Sequence, residues 1–163
     1  MTKIEHKDKE VDDIINNLTR DNSSFLSLIR SVEENLIDPE NDHFYDSGSV
    51  KVSGTRIGCW KAGGHGDETF LQVLENSCNP GFVNLGLKLG KETLFNYIDL
   101  FGFGEKTGVD LNGESSGIMF NIDKIGDLEL ATTAFGQGVS VTALQQITAV
   151  SAAVNGGILY KPY

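Results

Sequence analysis

The residues best equipped for chemistry lie in Asn76-Ser77-Cys78-Asn79-Pro80-Gly81-Phe82, where one helix end runs directly into a proline-started helix. Positions i and i+2 at such a junction can face one side, so the Ser77 hydroxyl and the Asn79 amide can converge on one bound group. A hydroxyl relays a proton and a primary amide orients a carbonyl. Serine and asparagine are also preferred helix caps, so spacing alone leaves both readings open. His65, within Gly63-Gly64-His65-Gly66, is expected to be a loop residue satisfied by backbone groups, with shaping of a cleft mouth as the alternative. Trp60 is expected beneath it, because a lone tryptophan is most often core. Cys59 and Cys78 are too few and too far apart for a four-ligand zinc site, and His6, His43 and His65 show no metal spacing. No metal or other cofactor is assigned.

The elements that must position these residues are mostly helical. Val11, Ile14, Ile15 and Leu18 recur at helical spacing, and Phe25, Leu28, Ile29, Val32 and Leu36 repeat it with Asn22 or Ser23 available as N-cap. Val50 and Val52 alternate up to Ser53-Gly54, and Thr55 and Ile57 read as the returning strand of a small hairpin. The glycine-rich bend leads to Asp67 as N-cap of a helix with a stripe of Phe70, Val73 and Leu74, which Ser77 extends. Pro80 opens the next helix, whose face is Phe82, Leu85 and Leu89 and whose end is Gly90; Leu94, Tyr97, Ile98 and Phe101 mark another, stopped by Gly102. Gly102 to Gly117 reads as a run of turns with a short strand at Val109 to Leu111. Thr142 and Gln145 form a capping-box pair ahead of a stripe of Ile147, Val150 and Val154, and Ile158 to Tyr160 resumes as extended chain after Gly156-Gly157. The expectation is a mainly α chain with a small β-hairpin, from which no central sheet of long strands can be drawn.

Composition narrows the function classes. A chain of 163 residues with 39% hydrophobic content has enough apolar surface for one buried core. The net charge of −10 argues against nucleic acid as partner, since a phosphate-tracking surface needs clustered Lys and Arg. No run approaches the roughly 18 apolar residues of a membrane span, and Met1 to Glu10 is charged, so the chain as written is expected in the cytoplasm.

From about Glu33 to Tyr163 the sequence resembles the transpeptidase domain of class B penicillin-binding proteins, most closely the sporulation group. The resemblance rests on Cys59-Trp60-Lys61 with Gly64-His65-Gly66, on Asn76-Ser77-Cys78-Asn79-Pro80, and on Phe101-Gly102-Phe103-Gly104-Glu105-Lys106-Thr107-Gly108. It continues through Ala131-Thr132-Thr133-Ala134-Phe135-Gly136-Gln137-Gly138, Val141-Thr142, Gln145 and Asn155-Gly156-Gly157. It implies part of an α+β penicillin-binding transpeptidase (serine β-lactamase-like) fold without most of its central sheet, divided as a divergent helical segment over 1–32 and a partial domain over 33–163. It also implies a Ser-x-Asn motif at Ser77 and Asn79 lining the active-site cleft, and places Trp60 and His65 near its mouth as substrate-binding candidates. The implied reaction is D,D-transpeptidation of peptidoglycan stem peptides by serine acyl transfer, which β-lactams intercept, in an enzyme anchored in the cytoplasmic membrane and acting outside it.

The resemblance also exposes what the chain does not carry. Ser-x-x-Lys occurs nowhere in it. Where the motif belongs, Ser23 to Leu26 places leucine in the lysine position and Ser27 to Arg30 offers Ser-x-x-Arg; leucine has no base, and a guanidinium keeps its proton with a pKa above about 12. Lys106-Thr107-Gly108 spells the third motif but belongs to the turn following a helix, and the catalytic copy is expected beyond Tyr163. The chain is therefore expected to be inactive alone, the alternative being a non-catalytic helical interaction module that self-associates through exposed apolar helix faces. Cysteines at positions like Cys59 and Cys78 occur in the sporulation-type members; bridging them would close a loop of about 20 residues, worth ~3 kcal/mol in the chain-entropy model, whereas a reducing cytoplasm would keep both free.

Overall fold

A helix started by proline and floored by glycines organises the molecule. In the computed structural model, which describes residues 2–3 and 22–163, this helix (α3, Asn79–Leu89) buries Pro80, Gly81, Phe82, Val83, Leu85, Gly86 and Leu89. Apolar residues on so much of its circumference make it the central element rather than a surface helix. Two glycines set how closely its neighbours approach. A Cβ on Gly86 would lie 2.3 Å from the Ala134 Cβ, and one on Gly81 would lie 2.5 Å from Val73 Cγ1. These two contacts seat α5 (Asp127–Ala134) and α2 (Phe70–Glu75) against α3.

The amphipathic helix expected after Asn22 is α1 (Asn22–Glu33), which packs on α3 through Leu26, Ile29 and Val32; Leu36 lies past its end and is exposed. The repeat expected at Val11 to Leu18 lies outside the described residues. Helix α4 (Lys91–Leu100) follows at once after Gly90 and adds Leu94, Tyr97 and Ile98 to the same core. Phe101 caps it, and Gly102 turns the chain away at φ 77°.

Among the described residues the β structure consists of three two-stranded antiparallel pairs. The expected hairpin joins β3 (Ser49–Val52) to β4 (Thr55–Gly58), and Ser53 and Gly54 both take positive φ, the turn whose twist matches a tight hairpin. A second pair was not legible in the sequence: β2 (His43–Asp46) with β5 (Gly66–Thr69), in the register Phe44↔Glu68 and Asp46↔Gly66. Asp67 consequently lies in a strand, and Thr69 is the N-cap of α2 in a reciprocal capping box with Gln72. The last pair joins β1 (Thr2–Lys3) to β6 (Ile158–Leu159).

The capping box at Thr142 and Gln145 opens α6 (Ala143–Val154) as expected. The buried face is different from the expected one. Ala149, Ala152 and Ala153 are in the core, while Ile147, Val150 and Val154 are 64%, 36% and 61% exposed. Three alanines let the helix backbone lie close to the core, which the larger residues would prevent. Gln145 does more than cap: its amide nitrogen, Nε2, donates to the Glu105 and Ser116 carbonyls at 2.7 and 2.8 Å and pins the glycine-rich run to the helix. Val109 to Leu111 forms no strand; the Leu111 N–H folds back to the Val109 carbonyl at 2.8 Å.

Candidate functional site

Helix α2 ends in a motif that holds Ser77 in a conformation serine rarely adopts. The Cys78 N–H donates to the Val73 carbonyl at 2.9 Å and the Ser77 N–H to the Leu74 carbonyl at 3.1 Å, a six-to-one and five-to-two pair that closes the helix. That closure requires a left-handed residue, and Ser77 supplies it at φ 49°. Ser77 is therefore outside the helical stripe expected for it, and it is exposed. Cys78 next to it is extended and fully buried, so the chain alternates and turns Ser77 and Asn79 outward. The Asn79 side chain is tied to the hairpin by donating from Nδ2 to the Gly58 carbonyl at 3.3 Å. The result is a hydroxyl on the surface beside an anchored amide, a pair able to relay a proton and orient a carbonyl.

Behind this pair lies a buried polar cluster drawn from four segments. Asp46 at the end of β2 accepts from the Gly48 N–H at 2.8 Å, from the His65 N–H at 3.0 Å and from the Cys78 thiol at 3.4 Å. The His65 ring lies 3.1 Å from Asp46 Oδ2 and 3.3 Å from Cys59 Sγ through Nδ1. Its side chain is 5% exposed, and its partners are these side chains rather than the backbone groups expected from the loop composition. Glu68 on β5 accepts from Asn76 Nδ2 at 2.9 Å, and its other oxygen is 4.0 Å from His65 Nδ1. Gly64 makes this convergence possible, because any Cβ there would come within 2.3 Å of both the Asp46 carbonyl oxygen and the Gly48 nitrogen.

The electrostatics follow from burial and hydrogen bonding. Burial by itself pushes the Asp46 carboxyl up, but the hydrogen bonds from Cys59, the Gly48 and His65 N–H groups and the His65 ring outweigh it and hold it at about 2. Burial, reinforced by Glu68 and Asp46, pushes the Cys78 thiol far above the usual range, and burial and Asp46 raise Cys59 as well. Both cysteines are free thiols, with their sulfurs within 4.8 Å of each other. In that state they are poor nucleophiles, since the thiolate is the reactive form.

Trp60 corrects the expectation of a core residue. It is 68% exposed, stands edge-on to the His65 ring at 5.3 Å between centroids, and donates from Nε1 to the Asn76 carbonyl at 2.8 Å. It covers the buried cluster from outside and fastens the hairpin to the end of α2. Asp46 and Glu68 escaped sequence reasoning because an acid in a short polar stretch reads as solvated; only the β2–β5 pairing turns both inward.

The serines in α1 divide differently. Ser27 is fully buried and donates to the Ala134 carbonyl at 3.3 Å, and Leu26 fills the core beside it. Ser23 lies in the first turn of the helix. Arg30 is engaged with Glu33 at 3.2 Å and with Glu34, and lies over the Tyr97 ring. Lys106 is exposed, and the Thr107-Gly108 turn is closed by Glu114, which accepts from the Thr107 N–H at 2.7 Å, its hydroxyl at 2.5 Å and the Gly108 N–H at 3.1 Å. No helix among the described residues is long and apolar enough to cross a membrane.

The family profile described as the penicillin binding protein transpeptidase domain matches residues 25–163. Stage V sporulation protein D of Bacillus subtilis is 59% identical over 138 residues, covering 85% of this chain and 21% of that protein. Penicillin-binding protein PbpB of Mycobacterium tuberculosis is 33% identical over 118 residues, 71% of this chain and 17% of that protein. The chain thus spans about a fifth of the length of these relatives. Among solved structures, penicillin binding protein 3 of M. tuberculosis complexed with ampicillin superposes with a TM-score of 0.75 at 28% identity, covering 83% of this chain and 30% of that one. A peptidoglycan synthetase from Bifidobacterium adolescentis gives 0.74 at 31% identity over 80% of this chain and 24% of its own. With the family profile matching most of its length and relatives and solved structures sharing its sequence and its fold, the chain belongs to the family of penicillin-binding protein transpeptidase domains.

Proposed function

We propose that this chain supplies the Ser-x-Asn wall of the cleft in a sporulation-type D,D-transpeptidase, an enzyme that cross-links peptidoglycan stem peptides at the outer face of the cytoplasmic membrane and is acylated by β-lactams. In this reading the Ser77 hydroxyl passes a proton during acyl transfer and the Asn79 amide orients the substrate carbonyl. The carrying observation is the left-handed Ser77, exposed at φ 49° beside an Asn79 anchored on Gly58. Trp60 and His65 then act differently from one another: Trp60 presents an exposed ring at the mouth, and His65 holds the bend behind it.

The chain by itself does not acylate. Serine acyl chemistry needs a hydroxyl beside a titratable amine, and Ser-x-x-Lys is absent from the sequence, while Ser27 is spent inside the core. Incubation of the purified chain with a fluorescent penicillin should leave no covalent label. A labelled band that survives denaturing electrophoresis would overturn this.

One observation favours a second, compatible reading as an interaction module. Ile147, Val150 and Val154 form an uncovered stripe on α6. A second copy, or a polypeptide carrying the serine and lysine, would gain by covering it. Labelling that appears only when such a polypeptide is added supports complementation; a monomer in sedimentation at every concentration removes self-association.

A further inference from the structure

Asparagine is a chemically labile side chain, most of all before glycine, and the chain holds two such pairs, Asn112-Gly113 and Asn155-Gly156. Without a Cβ, glycine leaves its own nitrogen open to the preceding side chain and lets the backbone turn to bring the two together. The sequence treats the two pairs alike, and the structure separates them. Asn155 caps the C-terminus of α6 with both side-chain atoms held by one residue. Its Nδ2 donates to the Ile158 carbonyl at 2.9 Å, and its Oδ1 accepts from the Ile158 N–H at 2.9 Å. Asn155 can therefore present Cγ to the Gly156 nitrogen only after both bonds open.

Asn112 is under no such restraint. It is exposed, and among the described residues neither of its side-chain atoms has a hydrogen-bond partner. Gly113 is exposed as well and left-handed at φ 84°, with nothing within 4 Å of where a Cβ would stand, and its N–H is not engaged by any described carbonyl. The arc from Asp110 to Gly113 is exposed throughout, while both of its feet are fixed. On one side Glu114 grips the Thr107 and Gly108 N–H groups at 2.7 and 3.1 Å. On the other, Gln145 Nε2 donates to the Ser116 carbonyl and the Ile118 N–H to the Ser140 carbonyl, both at 2.8 Å. Reaction at Asn112 thus needs no prior opening of the fold.

We propose that Asn112 is a site of spontaneous deamidation, converting to aspartate and isoaspartate in the folded chain while Asn155 is protected. The Gly113 nitrogen, losing its proton to water or hydroxide, attacks Asn112 Cγ. The new N–Cγ bond closes a succinimide ring, and the Cγ–Nδ2 bond breaks to release ammonia, which takes its extra proton from solvent. Water then opens the ring at either carbonyl. One opening leaves aspartate; the other leaves isoaspartate, in which the main chain runs through the former side chain. No electrons change hands, and the net exchange is one water taken up for one ammonia lost. Each event adds one negative charge to a chain already at −10, between Asp110 and Glu114. The consequence reaches the Glu114 clamp, because a like charge two residues away disfavours the ionised carboxylate and isoaspartate lengthens the main chain that leads to it.

The test uses the full 163-residue chain in mildly alkaline buffer, with and without urea, digested at intervals and read by mass spectrometry for replacement of an amide NH₂ by OH. A carboxyl methyltransferase specific for isoaspartate, with a labelled methyl donor, is the probe for the second product. In native buffer Asn112 should convert at least about tenfold faster than Asn155; in urea the two rates should come within about threefold, since both then react from open chain. Asn112→Gln, on an exposed side chain without partners, should remove the early methyl-accepting product. In the modified chain the Thr107 and Gly108 amides should titrate with a higher midpoint than in the unmodified one. Comparable native rates at the two asparagines, or a faster Asn155, would overturn the proposal. A preference for Asn112 that persists undiminished in urea would overturn it too, because the difference would then lie in local sequence and not in the fold. An unchanged midpoint at Thr107 and Gly108 would refute the link to the Glu114 clamp. The comparison of the two sites is made within the wild-type chain, so it does not depend on a variant folding.

Discussion

Replacing Ser77 by glycine should make the protein more stable, and the size of the gain follows from the backbone. A non-glycine residue in the left-handed region carries a cost of about 1–2 kcal/mol. Glycine loses more freedom on folding than serine does, by about 0.5–1 kcal/mol, which offsets part of the relief. The net gain is about 0.5–1 kcal/mol, and for a chain of this size that raises Tm by roughly 1–4 °C. The exposed hydroxyl contributes little to the fold, so Ser77→Ala, which keeps the φ of 49°, should stay within about 0.5 kcal/mol of the parent. Thermal unfolding of the three proteins followed by circular dichroism separates the terms. If Ser77→Gly is no more stable than Ser77→Ala, the strain assigned to this residue is not there, and with it goes the case that serine is kept for its hydroxyl. A helix end that needed only closure would carry glycine at this position, so retained strain points to a use outside the fold.

Two further perturbations address the supports of the site. Gly63→Ala and Gly64→Ala start from nearly the same φ, 83° and 81°, but an added Cβ at Gly63 meets nothing within 4 Å, whereas at Gly64 it meets two backbone atoms at 2.3 Å. Gly63→Ala should cost about 1–2 kcal/mol and Gly64→Ala distinctly more, read as urea midpoints; equal midpoints would contradict the close approach that sets His65 on Asp46. Hydrogen bonds from the Thr107 side chain and from the Thr107 and Gly108 N–H groups hold the Glu114 carboxyl below its usual range. A lowered folded value means the contribution of Glu114 is complete above its unfolded pKa of about 4.3 and is lost as pH falls through the folded one. The Thr107 and Gly108 amide resonances should therefore titrate with a midpoint below about 4.3, absent in Glu114→Gln; a midpoint at or above that value would count against the turn as described.

The sequence by itself determined the features whose causes are local. Pro80 at a helix start, Ser53-Gly54 in a tight turn, Gly90 and Gly102 as stops, and Thr142 with Gln145 as a capping box each depend on a few neighbouring residues, and each is found where those residues put it. The ordered motifs likewise marked the family and the Ser77-Cys78-Asn79 junction. Tertiary structure decided which apolar face of α6 is buried, because periodicity identifies stripes but cannot rank an alanine stripe that permits close approach against a bulkier one. It also decided the fates of Asp46, Cys59, His65, Glu68 and Cys78. Strand β2 pairs with β5, the bend at Gly64 touches the turn after β2, and the end of α2 closes over both. Side chains that would each be solvated in an isolated segment meet in one dry place, because distance in space there is set by packing between segments and not by their spacing along the chain.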